Sequence, residues 1–168
     1  MSADAIKTVD FPPAYGADIV VSCEKAKDPK NGSIYLKPTQ FVLGIGCRRD
    51  TAFENIDRAI RQSLLKLQID ISDIDMIASI DVKKDEPGIK EFCERNRIDF
   101  VTYTADELMA VQGEFSASQF VREHVGVDNV CERAAVLACS RECNEAGELI
   151  YKKHKYDRVT VAAARYPD

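Results

Sequence analysis

Nowhere in the 168 residues is there a run of about 18 apolar side chains, the length a membrane-spanning helix requires. The opening MSADAIKTVDFPP has no apolar core of the kind a secretory signal carries, so the expected location is the cytoplasm, with no membrane contact. Positive charge is in deficit. There are 23 Lys and Arg against 28 Asp and Glu, a net charge of -5, which argues against a general nucleic-acid binder. The six cysteines (Cys23, Cys47, Cys93, Cys131, Cys139 and Cys143) form no CxxC pair and no zinc-finger spacing. In a cytosolic chain they should be reduced thiols, with Cys23, Cys93 and Cys139 serving as small buried apolar side chains. Cys139 and Cys143 would share a helix face but lack a His or carboxylate partner, so no metal site is expected. His124 and His154 belong to no motif, and no internal repeat or low-complexity tract occurs.

What remains is an ordinary globular composition, 45% hydrophobic and 30% charged, long enough to bury a core without staples. Residues 1–40 read as an N-terminal extension or linker. They hold a short strand in ADIVVSCEK and, after the turn signal Asn31-Gly32, a second in SIYLK, which together suggest a short hairpin. From residue 41 to 168 strands and helices alternate. FVLGI, MIASID and DFVTY read as buried strands. Phe53, Ile56, Ile60, Leu64 and Leu67 recur on one face of a helix, which the capping-box spacing Thr51–Glu54 would start at Ala52. PGIKEFCERN is a helix opened by Pro87, TADELMAVQ one capped by Thr104 and Glu107, and SASQFVREHV one capped by Ser116 and Gln119. NVCERAAVLACS follows, with small residues suited to close packing, and ELIYKKHK and RVTVAAAR form a closing strand pair turning near Tyr156-Asp157. The fold class is α/β: a three-layer helix-sheet-helix sandwich around a mostly parallel, mixed sheet.

In such sheets ligands collect beyond the carboxyl ends of the strands. The loop Gly46-Cys47-Arg48-Arg49-Asp50-Thr51 leaves a strand and enters a helix start. Glycines at Gly44 and Gly46 permit close backbone approach, a helix start offers free amides, and adjacent guanidinium groups bind carboxylate or phosphate, so an anion-binding corner is expected. It is not a dinucleotide loop, because Arg49 stands where GxGxxG needs its last glycine. After the next strand come Asp81, Lys83, Lys84, Asp85 and Glu86, which would add cations and a carboxylate at a neighbouring strand end. In GVDNVCERAA, Asn129 could cap a helix, with Cys131 and Glu132 in its first turn, where a thiol pKa can fall.

These segments together resemble the C-terminal domain of the cobalamin-biosynthesis protein CbiG and its stand-alone relative CobE. The family pattern of a strand followed by GIGCRRGT, then ASIDLKKDEPGL, then F-x-A-x-EL, then SVCEAAAL is matched by GIGCRRDT (44–51), ASIDVKKDEPGI (78–89), YTADEL (103–108) and NVCERAAVLA (129–138). Four motifs in order make the likeness specific. It runs from about Phe41 to the C-terminus, and residues 18–40 resemble the segment leading into this domain in longer CbiG proteins. Asp50 stands where the family has glycine. The N-terminal and most of the middle regions of full-length CbiG proteins have no match here.

The resemblance implies a place in the anaerobic corrin pathway. A CbiG protein opens the ring-A δ-lactone of cobalt-precorrin-5A by hydrolysis and releases a two-carbon unit as acetaldehyde. The partner implied is an anionic tetrapyrrole; other corrin-pathway enzymes or a CbiG N-terminal region would be further partners. Cobalt would arrive inside the substrate, and no cofactor of the protein's own is expected. Substrate carboxylates would meet Gly44, Gly46, Cys47, Arg48, Arg49, Thr51, Asp81, Lys83, Lys84 and Cys131. Glu86 or Glu132 would act as acid–base group, with the amides near Cys47 and Arg48 as oxyanion donors; Cys47 also stands among the catalytic candidates. The other reading open at this point is a non-catalytic, CobE-like tetrapyrrole-binding module that assists a partner enzyme.

Overall fold

The computed structural model describes residues 19–21, 34–36, 41–116, 127, 129–143 and 145–167. The chain divides into two compact units, residues 1–39 with residue 168, and residues 40–167. In the first, β1 (Ile19–Val21) pairs with β2 (Ile34–Leu36) in parallel, Ile19 opposite Ile34. This corrects the expected hairpin, because a tight turn cannot join parallel neighbours. The Asn31-Gly32 turn itself lies outside the described residues.

The second unit runs β3 (Phe41–Cys47), α1 (Phe53–Leu67), β4 (Ile74–Ile80), α2 (Pro87–Asn96), β5 (Asp99–Tyr103), α3 (Ala105–Ala110), α4 (Val130–Cys143), β6 (Glu148–Lys155) and β7 (Val159–Arg165). The five strands order as β5-β4-β3-β7-β6. β3, β4 and β5 are parallel, while β7 runs antiparallel to β3 and β6 antiparallel to β7. The expected mixed α/β sandwich is what forms.

Local chemistry sets most of the boundaries. Pro87 opens α2 at the position where a missing N–H costs nothing. Thr104 caps α3 in the expected box: its hydroxyl accepts from the Glu107 N–H at 3.2 Å, and its own N–H donates to Glu107 Oε2 at 2.8 Å. The same box fails at Thr51–Glu54. α1 begins at Phe53, one residue later than expected, Ala52 caps it without a side-chain bond, and the Thr51 hydroxyl turns back to donate to the Arg48 carbonyl at 2.6 Å. The helix expected over SASQFVREHV lies almost wholly outside the described residues; Ser116 is described and has another role.

Alternation along the strands sorts side chains into two cores. Leu43 and Ile45 of β3 join Ile56, Ile60 and Leu64 of α1 and Ile89 and Phe92 of α2 on one face. Val42 joins Leu108 of α3 and Val130, Ala134, Ala135 and Ala138 of α4 on the other. Each fully buried Ile, Leu or Phe contributes about 1.5–3 kcal/mol, so two such clusters hold the layers together. α4 lies unusually low on β3, because a Cβ placed on Gly44 would come within 1.7 Å of the Cys131 carbonyl oxygen.

The topology fixes the edge that matters. β3 and β4 end side by side, and Cys47 at the end of β3 lies opposite Val159 at the start of β7. The turn between β6 and β7 therefore arrives at the same edge as the loops that follow β3 and β4.

Candidate functional site

Two loops meet where β3 and β4 end. The Thr51 N–H donates to Glu86 Oε1 at 3.0 Å, and the Lys83 ammonium holds Glu86 Oε2 at 3.0 Å. Glu86 is only 6% exposed. Lys83 lies at the end of a short 3-10 turn, Asp81–Lys83, that continues directly from β4. The starts of α1 and α2 touch: a Cβ on Gly88 would lie 2.3 Å from the Thr51 carbonyl oxygen. At the corner expected to bind an anion before α1, the Thr51 amide is taken by a carboxylate of the same chain.

One backbone donor expected for an oxyanion is committed as well: the Arg48 N–H donates to the Arg158 carbonyl at 2.9 Å, while Cys47 faces Val159 in a non-hydrogen-bonded pair of the β3–β7 ladder. The side chains of Arg48 and Arg49 are exposed and have no partner among the described residues. Asp50 adopts φ 56°, the left-handed region. Glycine enters that region freely and Asp is among the few other residues that tolerate it, so this position answers to backbone geometry.

Of the four expected cations, Arg48, Arg49 and Lys83 reach this edge. Lys84 does not join them; it lines a shallow groove beside α2 and β5 with Lys90, Glu94, Arg97 and Asp99. Asp81 is half-buried in the 3-10 turn, with no side-chain partner among the described residues. Cys47 is half-buried, and its thiol is pushed up to about 11, chiefly by burial. Lys83, a Thr51 hydrogen bond and Arg158 pull it down, and Glu86 pushes it further up. It is a neutral thiol at physiological pH, not an activated nucleophile.

Three expected residues belong to the opposite face. Gly44 is buried mid-strand beneath Cys131, so its missing side chain admits a helix rather than a ligand. Gly46 is closed by Thr160, whose hydroxyl donates to the Gly46 carbonyl at 3.2 Å. Cys131 is fully buried, and its thiol is pushed up to about 12, mainly by that burial. The fall expected from a helix first turn does not occur, because desolvation outweighs the hydrogen bonds from Thr160 and the Glu132 amide.

Glu132 is fully buried. Its carboxylate accepts from the Ser116 N–H and the Ser116 hydroxyl, both at 2.8 Å, and from the Lys153 N–H at 2.6 Å. Burial alone would raise its pKa, but these bonds together with Asn129 hold it below the usual carboxylate range. Asn129 caps α4 as expected, accepting from the Glu132 N–H at 3.0 Å, and donates to the Ser116 carbonyl at 2.7 Å. A carboxylate so held ties α4, β6 and the Ser116 segment together and is a poor proton carrier near neutral pH.

Sequence reasoning missed Arg158, Asp157, Ser116 and Lys153. Only the antiparallel β6–β7 pairing brings the first two to this edge, where the Asn55 amide donates to Asp157 at 3.2 Å and the Arg158 guanidinium donates to the Arg49 carbonyl at 2.9 Å. Among the described residues no group of three or more His, Cys, Asp and Glu side chains could hold a metal ion, and no helix is long and apolar enough to cross a membrane.

The cobalt-precorrin-5A hydrolase of Salmonella typhimurium is 38% identical over 61% of this chain and 29% of its own length. The probable cobalt-precorrin-5A hydrolase of Methanocaldococcus jannaschii is 31% identical over 79% of this chain and 42% of its own. The chain therefore spans less than half of these relatives. Among solved structures, CobE from the cobalamin biosynthetic pathway superposes with a TM-score of 0.72 at 26% identity, covering 77% of this chain and 92% of CobE. The cobalamin biosynthesis protein chiG of Agrobacterium tumefaciens gives a TM-score of 0.59 at 27% identity, over 76% of this chain and 99% of that one. Residues 41–164 match the family model described as the cobalamin synthesis G C-terminus, and the chain belongs to that family.

Proposed function

We propose that the edge where β3 and β4 end docks the carboxylate arms of cobalt-precorrin-5A, and that the domain contributes there to opening of the ring-A lactone by water, with loss of acetaldehyde. The observation that carries this reading is the pair of unpartnered, exposed guanidinium groups on Arg48 and Arg49, beside two loops fastened together by Glu86. Each partly exposed ion pair contributes about 0.5–1 kcal/mol, so several arms must bind at once, which suits a macrocycle edged with acetate and propionate. Cobalt is carried by the substrate. Glu86, with Lys83 on its other oxygen, is the acid–base candidate on this edge. Further corrin-pathway enzymes, or the regions that precede this domain in longer relatives, are the partners this reading allows.

A second reading, binding without turnover, has its own support. Glu86 and Glu132 are both committed to hydrogen bonds and Cys47 is a protonated thiol, so none of the three catalytic candidates is an uncommitted base. One pair of measurements separates the readings. Titration with hydrogenobyrinic acid, a metal-free corrin polycarboxylic acid, should shift its visible band, and the double variant Arg48→Ala, Arg49→Ala should bind at least about tenfold more weakly. Incubation with cobalt-precorrin-5A should release acetaldehyde. Binding with intact substrate recovered, also when the regions that precede this domain in longer relatives are supplied, establishes the carrier reading instead.

A further inference from the structure

The turn between β6 and β7 carries a residue that the family motifs do not contain. Arg158 sits at φ 62°, a left-handed conformation uncommon for a residue with a side chain. It grips the arginine loop at two points: its carbonyl accepts the Arg48 N–H at 2.9 Å, and its guanidinium donates to the Arg49 carbonyl at 2.9 Å. Next to it, Asp157 accepts from the Asn55 amide at 3.2 Å, fastening the same turn to the first turn of α1. The Arg158 side chain acts on Cys47 electrostatically and remains exposed.

An arginine in this place is more than a turn residue. If the contact with the Arg49 carbonyl served only to brace the loop, a single neutral donor would be enough. A guanidinium has five N–H donors in a planar fork, and one bond to Arg49 leaves the rest facing solvent. That bond also fixes the fork next to the backbone from which Arg48 and Arg49 project, so its entropy of ordering is already spent.

We propose that Arg158 is the third guanidinium of this anion-binding edge: it holds the Arg48–Arg49 loop and presents its remaining donors to a carboxylate of the bound ligand. This rests on the reading that the edge docks a polyanionic macrocycle. The class of ligand follows from the chemistry: several carboxylates spaced widely enough to meet separate forks. A ligand with a single carboxylate would gain little from the third group.

The test uses hydrogenobyrinic acid as probe and Arg158→Gly as the main variant. Glycine adopts the left-handed backbone without steric cost, so the turn and its carbonyl are kept while the guanidinium is lost. The expected result is affinity lower by about tenfold or more at low salt, with an unchanged or higher melting temperature. The ratio of parent to variant affinity should shrink as salt rises, since an ion contact is screened, and Arg158→Lys should recover part of the loss. A loss of the same size at every salt concentration would make Arg158 a scaffold only and overturn its ligand contact. If Arg158→Gly binds like the parent while Arg48→Ala, Arg49→Ala does not, the role of Arg158 falls and the edge stands. If the parent fails to bind the probe, or the double variant binds like the parent, the edge reading fails and the role of Arg158 with it.

Discussion

The Thr51 N–H and the Glu86 carboxylate, 35 positions apart in sequence, lie 3.0 Å apart in a buried bond that joins the loop after β3 to the loop after β4. The protein fills the anion corner at the start of α1 with its own carboxylate and balances it with Lys83. What this leaves exposed at the edge are the side chains of Arg48, Arg49 and Arg158. Glu86 thus fixes the relative position of the two motif loops.

From this bond follows the effect of losing Glu86. In Glu86→Ala a buried N–H and a mostly buried ammonium lose their partner together, which should cost about 3 kcal/mol. Glu86→Gln keeps an acceptor for Thr51 but turns an amide donor toward the Lys83 ammonium, so it should recover only part of that loss. Denaturant titration reads both. A midpoint for the alanine variant within about 0.5 kcal/mol of the parent, the range of neutral surface changes, would show that the bond does not hold the loops.

Gly44 tests the close seat of α4. The nearest atom to an added Cβ is a backbone carbonyl of Cys131 at 1.7 Å, not a flexible side-chain tip. The helix itself must therefore move. Gly44→Ala should destabilise by about 3 kcal/mol or more by overpacking, whereas Asp50→Gly, which relieves a left-handed backbone, should be neutral or slightly stabilising. Thermal unfolding of the two variants should move in opposite directions or differ by many degrees.

The thiols give a chemical readout. With its pKa near 11, Cys47 carries roughly a thousandth of its population as thiolate at pH 8, about a hundredfold less than an ordinary exposed cysteine. Alkylation by iodoacetamide in the folded protein should be correspondingly slow and should climb until about pH 11. Cys47→Ala should keep most of the corrinoid affinity, because the thiol supplies no charge to the edge. Fast labelling of Cys47 at neutral pH would return it to the list of nucleophiles.

How much of this was legible beforehand follows from the range of each interaction. The α2 and β5 boundaries, the Thr104–Glu107 box and the Asn129 cap depend on residues within a turn of one another, and the sequence shows them directly. The clustering of GIGCRR and ASIDVKKDEPG was readable because parallel neighbours end together. Thr51 was misread as half of a capping box since its real partners, Arg48 and Glu86, compete for the same atoms, one of them 35 residues away. Lys83 and Lys84 look equivalent in sequence, yet a 3-10 turn sends one inward to Glu86 and the other to the α2 groove. Arg158 and Lys153 carry no local signal; only the strand order brings them to their sites.

Glu132 sets the behaviour in acid. Its folded pKa lies below the ordinary value of 4.5. A depressed carboxylate stabilises the fold fully above the unfolded pKa, and that contribution is lost as pH falls through the folded pKa. Between about pH 7 and pH 5 the term is constant, and below about pH 4.5 it should decline. Glu132→Gln cannot titrate, and its amide turns a donor toward the N–H groups of Ser116 or Lys153, so it should be less stable than the parent at neutral pH. As the parent loses its ionised carboxylate, the gap between the two should narrow. Denaturant midpoints measured from pH 7 down to pH 3 give the result directly. Parallel curves would mean that folding leaves the pKa of Glu132 unshifted, and the carboxylate hub joining α4, β6 and Ser116 would have to be redrawn.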